Sequence, residues 1–152
     1  MTINTALVDA IATKAKDEVN AKHCIPCLMT FEDVYKLLND DEMELIKDLL
    51  TQKPSAYGVL EPFLGMEAVP TDVVAIKNQS VKYDGKTAAI PTQYVPRIVY
   101  KAYARLHQAY KASSGKNILI GSGYRSPANQ AVNFLTWLQY YDYDFKKTLG
   151  YV

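Results

Sequence analysis

One arginine occupies a position in the sequence that is typical of a functional side chain. Arg125 lies in the segment 121–130, which reads Gly-Ser-Gly-Tyr-Arg-Ser-Pro-Ala-Asn-Gln. The short, mainly apolar run Asn117-Ile118-Leu119-Ile120 before it predicts a buried strand, and the two glycines let the backbone turn sharply where that strand ends. Ser126 and Pro127 then supply an N-cap and a first helical position. The sequence therefore predicts an arginine held at a strand-to-helix corner, a common place for binding or catalytic groups.

The guanidinium of Arg125 suits recognition of a negatively charged group. It presents a planar fork of donors that matches a carboxylate or a developing oxyanion, and it stays charged at any working pH. Alternatively, Arg125 could pair with a nearby carboxylate of the chain and serve only to fix the conformation of segment 121–130. The residue type alone leaves both roles open.

A resemblance to a known family rests on the same residues. Ser122-Gly123-Tyr124-Arg125-Ser126, with Gln130 four positions on, resembles the S-G-Y-R-S-x-x-x-Q signature of the zinc D,D-carboxypeptidases, the vancomycin-resistance type of D-alanyl-D-alanine peptidase. Residues 90–96 are similar to the segment that leads into that family's first domain helix. The resemblance covers roughly residues 73–140, and the earlier part of the chain has no counterpart in that family.

The resemblance implies a role for each residue of the motif. Arg125 would be catalytic and would stabilise the negative charge that develops on the scissile carbonyl. Ser122 and Gln130 would hold the terminal carboxylate of the peptide, Tyr124 would shape the pocket, and Ser126 belongs to the same substrate-binding motif. The substrate would be a peptidoglycan stem peptide that ends in D-Ala-D-Ala, and the place of work would be the cell envelope, outside the cytoplasm.

The zinc ligands of such an enzyme cannot be identified in residues 1–152. A catalytic zinc needs three protein ligands and an open position for water, and the related peptidases take theirs from a His-x6-Asp segment and a later histidine. The only histidines here, His23 and His107, are followed at that spacing by Thr30 and Ser114. We therefore expect zinc in a full-length enzyme but none at a catalytic site in residues 1–152. Either the chain is the N-terminal part of a longer protein, or it binds without cleaving.

A second set of potential metal ligands lies near the N-terminus. His23, Cys24 and Cys27 could contribute to a structural zinc site, but the local sequence lacks a fourth ligand. The two cysteines could also form a redox disulfide, although no thioredoxin-like pattern surrounds them. Two reduced cysteines in a turn between helices are the third interpretation.

Periodicity and turn signals divide the chain into three predicted regions. Residues 1–55 are predicted to form a helical region in which capping boxes start helices at Thr30 and Asn39. Residues 56–72 lack periodicity and are predicted to be a linker or irregular loop. Residues 73–152 are interpreted as the N-terminal part of a D,D-carboxypeptidase-like domain that stops before the zinc ligands.

Within the third region the signals alternate between strand and helix. Residues 73–76 are a strand candidate, and Asp84-Gly85 marks a hairpin turn. A helix is expected from Pro96 to its C-terminal Gly115, with one apolar face made of Ile98, Val99, Ala102, Tyr103, Leu106, Ala109 and Tyr110. The predicted fold class is α+β, with helices packed on a small antiparallel sheet. Residues 140–152 show no closing element, which favours a native chain that continues beyond Val152 into the missing half of the domain.

Composition restricts the classes of partner. The 152 residues, 49% hydrophobic and 22% charged, are ordinary for a globular chain. The formal charge of +1 argues against nucleic acid or an anionic membrane as an obligatory partner. No apolar run approaches the ~18 residues of a membrane span, and the charged N-terminus does not resemble a signal peptide.

The sequence thus predicts a zinc-dependent D,D-carboxypeptidase whose residues 1–152 are inactive alone. A second interpretation is a non-catalytic module that binds peptidoglycan or a peptide through the segment that contains Arg125. A third is an interaction protein whose helical N-terminus docks a partner.

Overall fold

The computed structural model describes residues 3–22, 26–58 and 70–151. Its fold class is α+β, as predicted. The chain divides into two compact units, the first formed by Met1–Val69 with Arg125–Val152 and the second by Pro70–Tyr124. We call them the helical unit and the strand-containing unit.

The helical unit is formed by helices from both ends of the chain. Its α-helices are α1 (Thr5–Lys22), α2 (Phe31–Tyr35), α3 (Asp40–Thr51), α5 (Pro127–Tyr140) and α6 (Phe145–Leu149), and short 3-10 helices span Pro26–Leu28 and Pro54–Tyr57. Both predicted capping boxes are present: Thr30 caps α2 through Asp33, and Asn39 caps α3 through Glu42.

The core of the helical unit draws on both ends of the chain. Helix α5 contacts α1 and α2, and it also contacts α6. Buried apolar side chains from four helices form one cluster: Val8, Ile11, Leu45, Ile46, Leu49, Phe134, Leu135, Leu138, Phe145 and Leu149. Residues 125–151 therefore pack with the N-terminal helices. The sequence-based division into residues 1–55, 56–72 and 73–152 had instead placed residues 125–151 in the same region as the strands.

The strand-containing unit holds two separate two-stranded antiparallel sheets. Strands β1 (Val73–Ile76) and β4 (Gln93–Pro96) form one, and β2 (Gln79–Tyr83) and β3 (Lys86–Ile90) form the other. The predicted hairpin turn is present between β2 and β3, where Asp84 and Gly85 both have positive φ angles, 47° and 72°.

Helix α4 (Arg97–Ser114) begins after Pro96 and ends at Gly115, whose φ of 69° is left-handed, as the sequence predicted. It contacts β4 and β1. Arg97 Nε reaches both carboxylate oxygens of Asp72 at 2.9 and 2.7 Å and fixes the start of the helix beside β1. The helix has no buried residue.

Two expectations about local structure are wrong. Residues 117–120 do not form a strand; instead, the side-chain amide of Gln79 pairs with the backbone of Ile120, accepting from its nitrogen at 2.8 Å and donating to its oxygen at 3.1 Å. Residues 140–151 do contain a closing element, since Asp144 caps α6 and Phe145, Thr148 and Leu149 are buried.

Across the described residues, every helix falls short of the length and apolar character needed to cross a membrane.

Candidate functional site

The start of α5 is built as the sequence predicted. Ser126 is the N-cap and accepts a hydrogen bond from the Asn129 backbone nitrogen at 3.1 Å, and Pro127 occupies the first helical position. The Ser126 backbone nitrogen donates to the carbonyl oxygen of Cys27 at 2.9 Å. Because Ser126 is fully buried and its hydroxyl caps the helix, its observed role is structural; a direct contact with substrate stays a prediction.

Arg125 and Gln130 meet at this helix end. Arg125 is exposed, and its Nη1 donates to Gln130 Oε1 at 2.8 Å. This hydrogen bond orients the guanidinium over the first turn of α5. The N-terminal end of a helix carries a partial positive charge, so the arginine and the helix end both favour a negatively charged ligand.

The other two predicted residues belong to the strand-containing unit, because the division between the units falls after Tyr124. Ser122 is exposed and Tyr124 is half-buried. The backbone around them is tied to the end of β4: Gly123 donates to Gln93 Oε1 at 2.8 Å, and the Tyr124 nitrogen donates to Tyr94 O at 2.7 Å.

Gly123 is required for a different reason from the one predicted. Neither Gly121 nor Gly123 has a positive φ angle, so neither uses the conformational freedom that is special to glycine. A Cβ on Gly123 would overlap with the carbonyl oxygen of Tyr94 and lie 3.0 Å from its nitrogen. The glycine lets the loop approach β4 closely enough for the Tyr124–Tyr94 hydrogen bond.

The described residues do not fit a catalytic zinc. Across residues 3–22, 26–58 and 70–151, no three His, Cys, Asp or Glu side chains are placed to share a metal ion. His107 is half-buried, stacks on Tyr103 with ring centroids 5.7 Å apart, and has Nε2 3.2 Å from Asn117 Oδ1. These contacts give it a structural role.

The predicted Cys24 and His23 lie outside the described residues. Cys27 is a free, buried cysteine, and burial raises the pKa of its thiol above the ordinary value. A raised pKa keeps the thiol protonated at neutral pH, and a protonated thiol is a poor metal ligand and a poor nucleophile.

Sequence reasoning missed a group of aromatic side chains at the end of α5, which we call the aromatic cluster: Trp137, Tyr140, Tyr141 and Tyr151. Ring centroids lie 4.8 Å apart for Trp137 and Tyr151, and 5.0 Å apart for Tyr140 and Tyr141. Tyr140 is 71% exposed and Tyr151 63% exposed. The signal in the sequence was the i, i+3, i+4 spacing of the first three members, which places them on one helix face.

Charged side chains border the aromatic cluster. The ammonium of Lys147 lies 5.0 Å from the centre of the Tyr141 ring, within the range of a cation–π interaction. An open groove of about 510 Å³ runs beside it, lined by Tyr141, Asp144, Lys146, Lys147, Gly150 and Tyr151. Desolvation and the neighbouring tyrosines raise the pKa of Tyr141 above its ordinary value.

Comparison of the chain with family models, curated proteins and solved structures finds no match.

Proposed function

We propose that Arg125, at the start of α5, binds the carboxylate-bearing end of a peptide, and that this peptide is a peptidoglycan stem ending in D-Ala-D-Ala. The proposal rests on one observation: an exposed guanidinium, oriented by Gln130, stands at the capped N-terminus of α5. The S-G-Y-R-S-x-x-x-Q resemblance supplies the identity of the peptide. Such a substrate would place the protein at the cell envelope.

The contribution of Arg125 to binding follows from its chemistry. A guanidinium can take a carboxylate in bidentate fashion, and a hydrogen bond to a charged group is worth about 1.5–3 kcal/mol net. The positive end of α5 adds to the attraction. Gln130 holds the guanidinium at 2.8 Å, so less side-chain entropy is lost when the peptide binds.

Hydrolysis is the second half of the proposal, and it needs residues other than the described ones. A D,D-carboxypeptidase of the zinc type requires a group of metal ligands, and the described residues contain none. Residues 1–152 alone should bind the peptide and release no D-alanine, with or without added zinc.

Calorimetric titration with an acetylated Lys-D-Ala-D-Ala peptide tests the binding. Arg125→Ala should weaken binding about ten- to hundredfold, the equivalent of one lost charged hydrogen bond. Arg125→Lys should recover only part of the affinity, because an ammonium lacks the planar fork. Arg105→Ala, which removes an exposed arginine elsewhere, is the matched control.

Two outcomes would contradict the proposal. One is equal affinity of the wild-type chain and Arg125→Ala for the D-Ala-D-Ala peptide. The other is equal affinity of the wild-type chain for the L-Ala-L-Ala peptide, because the stereochemistry would then play no part in recognition.

The aromatic cluster favours a second candidate, a non-catalytic module that binds the glycan of peptidoglycan. Tyr140 and Tyr151 are exposed, and Trp137 and Tyr141 are half-buried. Aromatic rings offer apolar faces with polar edges, and the apolar face of a sugar ring packs on such surfaces. Trp137 is the only tryptophan, so its fluorescence would report binding of chito-oligosaccharides directly. Tyr140→Ala should abolish the change, whereas Tyr83→Ala, at an exposed tyrosine of the β2–β3 hairpin, should preserve it.

A further inference from the structure

The two units carry formal charges of opposite sign, which nearly cancel in the total for the whole chain. The strand-containing unit, Pro70–Tyr124, has eight basic and two acidic residues and a formal charge of +6. The rest of the chain has nine basic and fourteen acidic residues and a charge of −5. The argument against an anionic partner that follows from the total of +1 therefore does not apply to the strand-containing unit.

Helix α4 concentrates this charge. Its 18 residues include Arg97, Lys101, Arg105 and Lys111 and no acidic residue. Arg97 is paired with Asp72, so the remaining three cations give the helix its net charge. A helix with several cations and no acidic residues attracts anionic surfaces and polymers.

The apolar face of α4 is exposed. Ile98 is 79% exposed, Leu106 60% and Val99 49%. With Ala102, Ala109 and Tyr110 they lie on one side of the helix, since successive residues turn by about 100°. The half-buried residues Tyr100, Tyr103, Ala104 and His107 lie on the opposite side, and Tyr103 donates from that side to the backbone oxygen of Ile118 at 3.0 Å.

Two of these cations border one edge of the exposed apolar face, whereas Lys111 falls on the opposite side of the helix. At about 100° per residue, Lys101 and Arg105 fall directly beside Ile98 and Ala109 on the helix surface. An apolar stripe with Lys and Arg along one edge, on a helix whose other positions are largely polar, is the pattern of a helix that lies in the plane of a membrane interface. At about 27 Å and with its charges, α4 suits lying on a bilayer rather than crossing it.

We propose that α4 binds the surface of an anionic lipid bilayer, with Ile98, Val99 and Leu106 inserted among the headgroups and Lys101 and Arg105 on the lipid phosphates. The chemistry of the face favours lipid over single-stranded nucleic acid. Bases bind by stacking on aromatic rings, whereas the most exposed residues of this face are aliphatic. The proposal is independent of peptide binding by Arg125.

Co-sedimentation of the full chain with vesicles tests the proposal. Vesicles of equal parts phosphatidylglycerol and phosphatidylcholine should bind the chain, and vesicles of pure phosphatidylcholine should bind it far more weakly. Leu106→Asp should reduce the partition coefficient at least about tenfold, because the leucine that inserts into the bilayer is replaced by a charged side chain. Lys101→Ala with Arg105→Ala should reduce it roughly 25-fold, since each cation near an anionic surface contributes a factor of about five.

The matched control is Lys82→Ala with Lys86→Ala, which removes the same charge from the β2–β3 hairpin. It should change the partition coefficient less than about twofold. Thermal unfolding checks that each variant folds. We expect all of them to fold, because the substituted side chains are exposed. An equal loss in the control would overturn the assignment to α4. The assignment to lipid would be overturned if the chain bound an oligothymidylate but no vesicles, and if Leu106→Asp did not change that binding.

Discussion

At the scale of single residues, the buried carboxylate of Glu42 connects α1 to the start of α3. It is 2% exposed, accepts hydrogen bonds from Lys14 Nζ at 2.9 and 2.7 Å, and accepts one from the Asn39 backbone nitrogen at 2.8 Å. Burial alone would raise the pKa of Glu42, but the hydrogen bonds from Lys14 and Asn39 and the charge of Lys14 outweigh it. The pKa of Glu42 is therefore lowered on folding.

We expect Glu42→Gln to reduce the free energy of unfolding by about 1–3 kcal/mol at neutral pH, because charged hydrogen bonds are lost in a buried place. A lowered folded pKa means that the stabilisation is complete above the unfolded pKa of about 4.3 and is lost as the pH falls through the folded pKa. Urea unfolding between about pH 7 and about pH 3 should show the difference between the two proteins shrinking in acid. Glu44→Gln, at an exposed site on the same helix, is the control, and a difference independent of pH would contradict the account.

At the scale of elements, the contact between the 121–124 loop and β4 depends on the absence of a side chain at Gly123. Gly123→Ala would push the loop away from the Tyr94 carbonyl, and we expect a loss of about 1–3 kcal/mol in the free energy of unfolding. Gly121→Ala is a sensitive control, since a Cβ there meets nothing within 4 Å. Equal stability of the two variants in urea would show that the loop does not need this close approach.

The elements also show what the sequence could and could not reveal. The caps at Thr30, Asn39 and Ser126 were predictable because each hydrogen bond spans three residues. The segment 117–120 was predicted as a strand from its apolar residues, but a strand needs a backbone partner. Here side chains bond to the backbone instead: Gln79, 41 positions away, pairs with Ile120, and Tyr103 donates to Ile118. Periodicity likewise predicted the apolar face of α4, but it carries no information about what covers that face.

At the scale of the whole molecule, the core of the helical unit joins segments far apart in sequence. Val8 and Ile11 of α1 pack in one cluster with Phe134 and Leu138 of α5, and Tyr143 donates to Asp9 at 2.7 Å. The sequence predicted a helical N-terminal region and a helix that begins after Ser126, and α1 and α5 are present there. It did not predict that they pack together, because an amphipathic pattern identifies the face to be buried but not its partner.

This packing predicts that residues 1–55 do not fold alone. Without α5 and α6, the apolar faces of α1 and α3 lose the side chains that cover them, and isolated helices of this length are marginal in water. Circular dichroism of the fragment should show little helix and no cooperative thermal transition, and an added peptide of residues 125–152 should increase the helical signal. A cooperative transition of the fragment alone would contradict the shared core. If the prediction holds, a partner of the N-terminal helices must be sought with the full chain, because the isolated fragment would expose core residues and bind proteins non-specifically.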